Sequence, residues 1–207
     1  MQFCFPVGFN KRMKIKNICV YCGSSPGKNQ AYSQAAAGLA RIMCERGIGL
    51  VYGGGAIGIM GAIADAVLEA GGVAIGVIPK SLALKEVAHN RLSKLHVVTS
   101  MHERKAMMAE LADGFIALPG GWGTLEEIFE MLTWAQLGFH DKPCGLLNVE
   151  AYYDSLIAFL ENSFEQKFVN ELYRPMLMKT HDPVALLDQF AAYRAPKVRK
   201  WMAEDEL

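Results

Sequence analysis

The stretch 118–127 constrains the fold more than any other part of this sequence. It follows a short apolar run, 114–118, that predicts a buried strand, and it opens with Leu-Pro-Gly-Gly-Trp-Gly-Thr. Thr124 and Glu127 fit the Ser/Thr-x-x-Glu capping box, which predicts that a helix begins there. A strand that enters a helix through a glycine-rich turn points unpaired backbone N–H groups and the positive end of the helix dipole at one place. That place suits an anion such as phosphate.

Strand-length apolar runs and helical patterns alternate along the rest of the chain. We expect strands at about 17–23, 48–52, 73–78, 95–99, 114–118 and 144–148. We expect helices at about 30–46, 101–112 and 152–167, two more ending near Ala70 and Leu137, and a last one at about 183–193 capped by Asp182. Strands that are apolar throughout belong to sheets covered on both faces. The sequence therefore predicts an α/β fold with a doubly wound, mostly parallel sheet.

The length of 207 residues suits one domain. We assign this domain to residues 14–195, after a loose leader (1–13) and before a charged tail (196–207). Residues 80–93 are polar and weakly patterned, which predicts a loop or a short helix over the edge of the sheet.

Charge and cysteine content exclude several classes of protein. The 21 Lys and Arg residues balance 21 Asp and Glu residues, and a chain without excess positive charge is a poor nucleic-acid binder. No apolar run approaches the roughly 20 residues that span a membrane. Five scattered cysteines argue against a disulfide framework and fit a cytoplasmic protein. Cys19 and Cys22 spell C-x-x-C, but their spacing on a strand puts them on opposite faces, which favours packed thiols over a redox or zinc pair.

A second glycine-rich turn, 53–58, lies between a predicted strand and a predicted helix and matches G-x-G-x-x-G. A nicotinamide cofactor would need an acidic residue about 20 positions further on, where Pro79 and Lys80 stand instead. By itself the match is equally consistent with glycines that only allow the strand and the helix to pack tightly. Two such turns together favour the phosphate and sugar of a mononucleotide.

Two charged residues do not fit their helices. Arg104 falls on the same helical stripe as Met101, Met108 and Leu111, so its guanidinium faces inward, where it needs a carboxylate or a phosphate. The alternative is an arginine that reaches solvent from the first turn. Glu127 could simply complete the capping box, but it also lies at the glycine-rich turn that is predicted to bind the sugar and phosphate.

The helix after this turn carries apolar residues on more than one side. One set is Leu125, Ile128, Leu132 and Ala135, and another is Met131, Trp134 and Leu137. Two apolar faces predict burial on both sides, and a second copy of the chain is the favoured partner, which gives a homodimer. The five histidines show no metal-ligand spacing, so we expect no metal.

Three motifs in order resemble the LOG ("lonely guy") family of cytokinin riboside 5′-monophosphate phosphoribohydrolases, whose bacterial relatives include AMP nucleosidases. Residues 119–127 fit P-G-G-x-G-T-x-x-E, residues 101–105 are similar to M-H-x-R-K, and residues 53–61 resemble the second glycine loop, with Ile59 where Leu is more usual. The similarity extends from about 16 to 190.

The resemblance implies a Rossmann-like dimer that hydrolyses the N-glycosidic bond of a purine nucleoside 5′-monophosphate without a cofactor. Its catalytic pair corresponds to Arg104 and Glu127. The substrate contacts that we predict from the resemblance and from the two glycine turns are Glu86, Lys105, Gly121, Trp122, Gly123, Thr124, Leu125, Glu126, Thr133, Gly54, Gly55 and Gly58. An older label for such proteins is lysine decarboxylase, but the sequence shows no pyridoxal phosphate site. The alternatives are a carrier or sensor that binds nucleotides without chemistry and a nicotinamide-dependent oxidoreductase.

Overall fold

A computed structural model describes residues 14–83 and 88–196, which form one seven-stranded parallel sheet in the order β4-β3-β2-β1-β5-β6-β7. The strands are β1 Asn17–Tyr21, β2 Gly49–Tyr52, β3 Ala74–Pro79, β4 Lys94–Val98, β5 Phe115–Ala117, β6 Cys144–Leu147 and β7 Leu177–Thr180. The parallel sheet confirms the predicted fold class. The leader, residues 84–87 and the tail after Pro196 lie outside the described residues.

Helices cover both faces of the sheet. They are α1 Ala31–Glu45, α2 Gly58–Glu69, α3 Lys80–Ala83, α4 Met101–Leu111, α5 Trp122–Leu137, α6 Asp154–Glu165 and α7 Pro183–Ala192, with short 3-10 helices at Val149–Ala151 and Glu171–Met176. One apolar core lies between the sheet and α1, α2 and α7. The second lies between the opposite face and α4 and α5, with part of α6. Cys22 belongs to the first core and Cys19 to the second, as strand alternation predicts.

The sheet reverses its winding at β1, which pairs with β2 on one side and β5 on the other. The loops that follow two such strands separate and leave a crevice, which is where ligands bind in doubly wound folds. Here the loops begin at Cys22 and Leu118, and Gly23 N–H donates to the Pro119 carbonyl across the crevice (3.1 Å). The predicted anion site therefore lies at the switch point of the sheet.

The structure corrects three predictions about elements. β7 was not predicted, because its sequence, Leu-Met-Lys-Thr, is short and only half-buried. β4 is not apolar throughout, since it forms one edge of the sheet and exposes Lys94, Leu95 and Val97. The two-faced interpretation of α5 is wrong for Met131 and Trp134, because both pack in the same core as Ile128.

Candidate active site

The N-terminus of α5 presents free backbone amides at the end of β5. Gly121 is the N-cap residue, and no side chain caps it. The first amide bonded along the helix is that of Leu125, which donates to the Gly121 carbonyl (3.2 Å). The amides of Trp122, Gly123 and Thr124 therefore have no partner within the helix, and the dipole adds positive potential beside them. This arrangement can bind an anion.

The predicted capping box is wrong. Thr124 lies inside the first turn of α5, and its side chain is buried against Gly120, so it cannot serve as the N-cap. A box of this kind forms instead at α4, where Ser100 Oγ accepts from the Glu103 amide (3.1 Å) and the Glu103 carboxylate accepts from the Thr99 amide (2.7 Å). Glu127 therefore has no capping role that would explain its position.

Gly121 and Gly123 have no structural need to be glycine. A Cβ added at either position meets nothing within 4 Å, and neither residue has a positive φ. By contrast, a Cβ on Gly120 would overlap the Thr124 side chain. Open space above a glycine is what the close approach of a ligand requires. The exposed side of this turn is therefore shaped for contact with a bound molecule.

A cavity of about 290 Å³ lies between the loop after β1 and the loop after β5. Its lining consists of Gly23, Ser24, Ser25, Gly27, Tyr32, Ile59, Pro119, Gly120, Gly121 and Tyr152. We did not predict a ligand contact from Ser24 or Ser25, although two hydroxyls directly after a central parallel strand are a usable signal. The cavity reaches the N-cap residue of α5, so hydroxyls and helix amides lie at its wall together.

The second glycine-rich turn contributes differently from what we predicted. The Ile59 and Met60 amides at the start of α2 both donate to the Gly23 carbonyl (3.0 and 3.3 Å), so these two amides are not free for phosphate. Gly58 has a positive φ of 64°, and a Cβ there would overlap the Ser24 backbone. Gly58 therefore has a packing role, while substrate contacts from Gly54, Gly55 and Gly58 stay predictions.

Arg104 faces inward, as its helical position predicts, and is only 7% exposed. Its Nε donates to the Val77 carbonyl and its Nη2 to the Gly53 carbonyl, each at 3.1 Å. The dipoles of these two carbonyls, rather than a carboxylate, thus stabilise much of the guanidinium charge. Two hydrogen bonds fix the guanidinium between the end of β2 and the second half of β3 while leaving Nη1 beside Met101 Sδ (3.7 Å).

Glu127 lies one turn into α5, close enough to Arg104 for the two charges to interact. Burial raises the pKa of Glu127 to about 7, the Arg104 charge opposes this shift, and the neighbouring Glu126 carboxylate adds to it. No salt bridge joins Arg104 and Glu127, both of which belong to the described residues. A carboxylate that titrates near neutral pH beside a fixed guanidinium is suited to acid–base or electrostatic catalysis.

The raised pKa of Glu127 makes stability depend on pH. Between pH 4.5, the ordinary value, and about 7 the folded protein keeps a proton that the unfolded chain has released, so this group lowers stability as pH rises through that window. We expect the free energy of unfolding of Glu127→Gln to exceed that of the parent by on the order of 2 kcal/mol at pH 8 and by little at pH 4.5. Urea unfolding at both pH values measures the difference. An equal difference in the free energy of unfolding at both pH values would contradict the assigned pKa shift.

Two tyrosines hold the loop that leads to α5. Tyr153 Oη donates to the Leu118 carbonyl and Tyr152 Oη to the Gly120 carbonyl, each at 2.6 Å. They follow Glu150 and Ala151, two non-glycine residues with positive φ (50° and 57°). Such backbone strain is tolerated where surrounding contacts require it. Neither tyrosine was predicted as part of the site, because their partners lie more than 30 positions away.

We expect Tyr153→Phe to destabilise the protein by roughly 1–3 kcal/mol, because the buried Leu118 carbonyl would lose its partner. Tyr152→Phe is the matched control, since Tyr152 is 43% exposed and water can replace its hydroxyl at Gly120. Denaturant unfolding compares the two variants. Equal losses of stability in both variants would show that burial of the hydrogen bond to the Leu118 carbonyl does not add to its contribution.

Known proteins place this chain in a family. Residues 60–190 match the family described as "Possible lysine decarboxylase". The cytokinin riboside 5′-monophosphate phosphoribohydrolase LOG of Oryza sativa subsp. japonica is 50% identical over 168 residues, which are 81% of this chain and 69% of the relative. The cytokinin riboside 5′-monophosphate phosphoribohydrolase LOG3 of Arabidopsis thaliana is 45% identical over 183 residues, which are 88% of this chain and 85% of the relative. The chain belongs to the LOG family. The predicted resemblance to this family is thereby confirmed.

Solved structures support the fold of this LOG family member. A molybdenum cofactor carrier protein of Chlamydomonas reinhardtii has a TM-score of 0.65 at 20% identity, covering 87% of this chain and 100% of that chain. A molybdenum cofactor binding protein of Rippkaea orientalis has a TM-score of 0.63 at 22% identity, covering 85% and 95%. At these identities the likeness shows a shared Rossmann-like architecture and nothing about the ligand.

Lys105, a predicted substrate contact of the LOG family signature, is held by carboxylates. Its Nζ pairs with Glu126 and with Glu130 (3.0 Å), and its side chain is 11% exposed. Burial lowers the pKa of Lys105, but the bonds to these two carboxylates more than offset the effect and raise it. A fully charged lysine with two acidic partners is positioned beside the α5 N-terminus, and its direct contact with substrate stays a prediction.

The remaining predicted substrate contacts lie along α5 or outside the described residues. Trp122 is 92% exposed, and Leu125 is partly buried. Thr133, two turns after Glu126, is exposed and donates to the Phe129 carbonyl (2.8 Å). Glu86 falls in the segment 84–87, outside the described residues. The structure thus brings the 121–127 turn, Arg104 and Lys105 together.

In the ranges 14–83 and 88–196, no three or more His, Cys, Asp or Glu side chains are grouped to hold a metal ion. No helix in those ranges combines the length and apolar character required to cross a membrane.

Proposed function

We propose that this protein is a nucleoside 5′-monophosphate phosphoribohydrolase, which uses water to split the N-glycosidic bond and releases the free base and ribose 5-phosphate. The observation that carries the proposal is the meeting of Arg104 and Glu127 with the free amides of α5 at the switch point of the sheet. Relatives 45–50% identical to this chain carry the name of that activity. Cytokinin riboside 5′-monophosphates are the proposed substrates, with AMP as a second one.

The phosphate supplies binding energy for positioning. The amides of residues 122–124 would hold the 5′-phosphate, with the serine hydroxyls of the adjoining cavity beside it. Binding energy from this non-reacting group holds the ribose in place over Glu127. A nucleoside without the phosphate should therefore be a far poorer substrate.

Glu127 would act on the ribose. Cleavage of an N-riboside builds positive charge on the sugar as the bond electrons leave with the base. An ionised Glu127 stabilises this charge or orients the water whose oxygen bonds to the anomeric carbon. Arg104 lies close enough to favour the ionised form and to bind an oxygen of the substrate. The departing base takes up a proton, and water supplies the hydroxyl of ribose 5-phosphate.

Release of free base tests this proposal. The protein is incubated separately with AMP and with isopentenyladenine riboside 5′-monophosphate, and the base is quantified by chromatography. We expect base from the phosphorylated nucleosides, little from adenosine, and almost none with Glu127→Gln. Binding of nucleotide without release of base would favour the alternative of a non-catalytic carrier or sensor.

We further propose a homodimer and a cytoplasmic location. Apolar surface remains exposed beside the site at Met101 (42%) and at the opposite end of α5 at Phe139 (49%), where a cavity of about 410 Å³ separates α4 from α5. A second copy would cover this surface. Sedimentation analysis should give about twice the chain mass, and a monomer at micromolar concentration would contradict the dimer. Cys19, Cys22, Cys44 and Cys144 are free thiols, as in a reducing compartment.

A further inference from the structure

His89 is an unexplained buried polar residue. In the described part of the chain the buried polar or charged side chains are His89, Arg104 and Thr124, with exposures of 5%, 7% and 4%. Arg104 and Thr124 belong to the candidate site. His89 belongs to none of the sequence motifs and lies between the end of β3 and the start of β4. A buried imidazole is costly unless all of its polar atoms are bonded, so its partners indicate its purpose.

Both ring nitrogens of His89 have partners. Nδ1 accepts from the Arg91 amide (3.2 Å), which leaves Nε2 as the donor to Asp65 Oδ1 (3.1 Å) on α2. Asp65 also pairs with the Arg91 guanidinium at the surface. The ring is therefore fixed in one orientation between α2 and the chain that enters β4.

The backbone around His89 is bonded to the second glycine-rich turn. His89 N–H donates to the Gly54 carbonyl (3.0 Å), and Ala88 pairs with Gly55 in an antiparallel bridge. The preceding carbonyl, that of Gly53, accepts from Arg104 Nη2 (3.1 Å). Hydrogen bonds thus connect Asp65 to His89 and His89 to Gly54, and the backbone from Gly54 to Gly53 completes the link to Arg104.

We propose that Asp65 and His89 are a positioning pair that holds the 53–55 turn so that its Gly53 carbonyl orients the Arg104 guanidinium for catalysis. This inference rests on the proposed function, because it gives Arg104 its task there. Glycines leave a turn conformationally free, so an external contact is needed to keep its carbonyls in one direction. Loss of the pair allows the turn to shift, and a displacement near 1 Å at a catalytic group can cost about a hundredfold in rate.

The test compares Asp65→Ala with Arg91→Ala. Both variants remove the surface pair between Asp65 and Arg91, but only Asp65→Ala removes the partner of His89 Nε2. We expect kcat for the best nucleotide to fall about tenfold in Asp65→Ala, with KM changed less than twofold because the α5 amides are untouched. Arg91→Ala should keep the parent kcat. Equal kcat in both variants would overturn the inference.

A double-mutant cycle separates positioning from general stability. His89→Ala should lower kcat in the parent but have little further effect when Arg104 is already Lys, since the pair acts through the guanidinium. His89→Gln, whose amide nitrogen can still donate to Asp65, should recover part of the lost rate. Independent effects of His89→Ala and Arg104→Lys, or no recovery in His89→Gln, would overturn the inference. A parent protein that releases no base from any nucleotide would instead refute the proposed function, so the two failures are distinguishable.

Discussion

Glu127→Gln should lower kcat by about a thousandfold while leaving the fold and nucleotide binding intact. The amide is nearly the same size as the carboxyl group but cannot ionise, so it can neither stabilise positive charge on the ribose nor orient water as a base. The raised pKa near 7 places the parent residue where both protonation states are accessible at neutral pH. Steady-state release of base, with circular dichroism as the check of folding, measures the effect.

Glu69→Gln provides the control for this substitution. Glu69 ends α2 on an exposed surface, so the same chemical change there should leave kcat unaltered. If Glu127→Gln turned over nucleotide at the parent rate, the carboxylate would have no part in the reaction. Its half-buried position and its interaction with the Arg104 charge would then be purely structural.

Gly53→Ala should lower kcat by about a hundredfold through Arg104. Gly53 does not have a positive φ, so its backbone conformation accepts alanine. A Cβ at this position would, however, overlap Arg104 Nη2 and come within 3.2 Å of Met60 Sδ. The guanidinium would have to leave the Gly53 carbonyl, and a misplaced catalytic group loses much of its effect. Kinetics of the purified variant test this expectation.

Gly38→Ala is the matched control for Gly53→Ala. Gly38 lies within α1, and a Cβ there meets nothing within 4 Å. Alanine should raise stability by roughly 0.5–1 kcal/mol and leave kcat unchanged. A Gly53→Ala enzyme with the parent kcat would show that the position of Arg104 is not set by the Gly53 carbonyl, and would weaken its assignment as a catalytic residue.

Local patterns were sufficient for the fold and for the inward direction of Arg104. Alternating apolar runs and helical patterns indicated the parallel sheet, since such strands must be covered on both sides. Helical periodicity placed Arg104 on the buried stripe because successive turns align residues three and four apart. The structure confirms both, with Arg104 7% exposed. The short strand β7 gave no comparable signal, because its four residues are only half-buried.

The parts of the site that depend on distant contacts were not predictable. Gly58 matches a phosphate-loop pattern, yet its φ and the nearby Ser24 backbone explain it by packing. His89 and Tyr153 bond to partners 24 and 35 positions away, and no local pattern encodes such pairs. Thr124 and Glu127 matched a capping box, but the helix begins earlier, at Trp122. Tertiary packing at the turn outweighed the local capping signal there.

The central claim is that the α5 amides, Arg104 and Glu127 surround a single nucleotide. A crystal structure of the Glu127→Gln protein with AMP tests it most directly. We predict the 5′-phosphate within hydrogen-bonding distance of the amides of residues 122–124, with the anomeric carbon facing residue 127 and Arg104 beside the ribose. AMP bound elsewhere, or with its phosphate away from the start of α5, would contradict the claim.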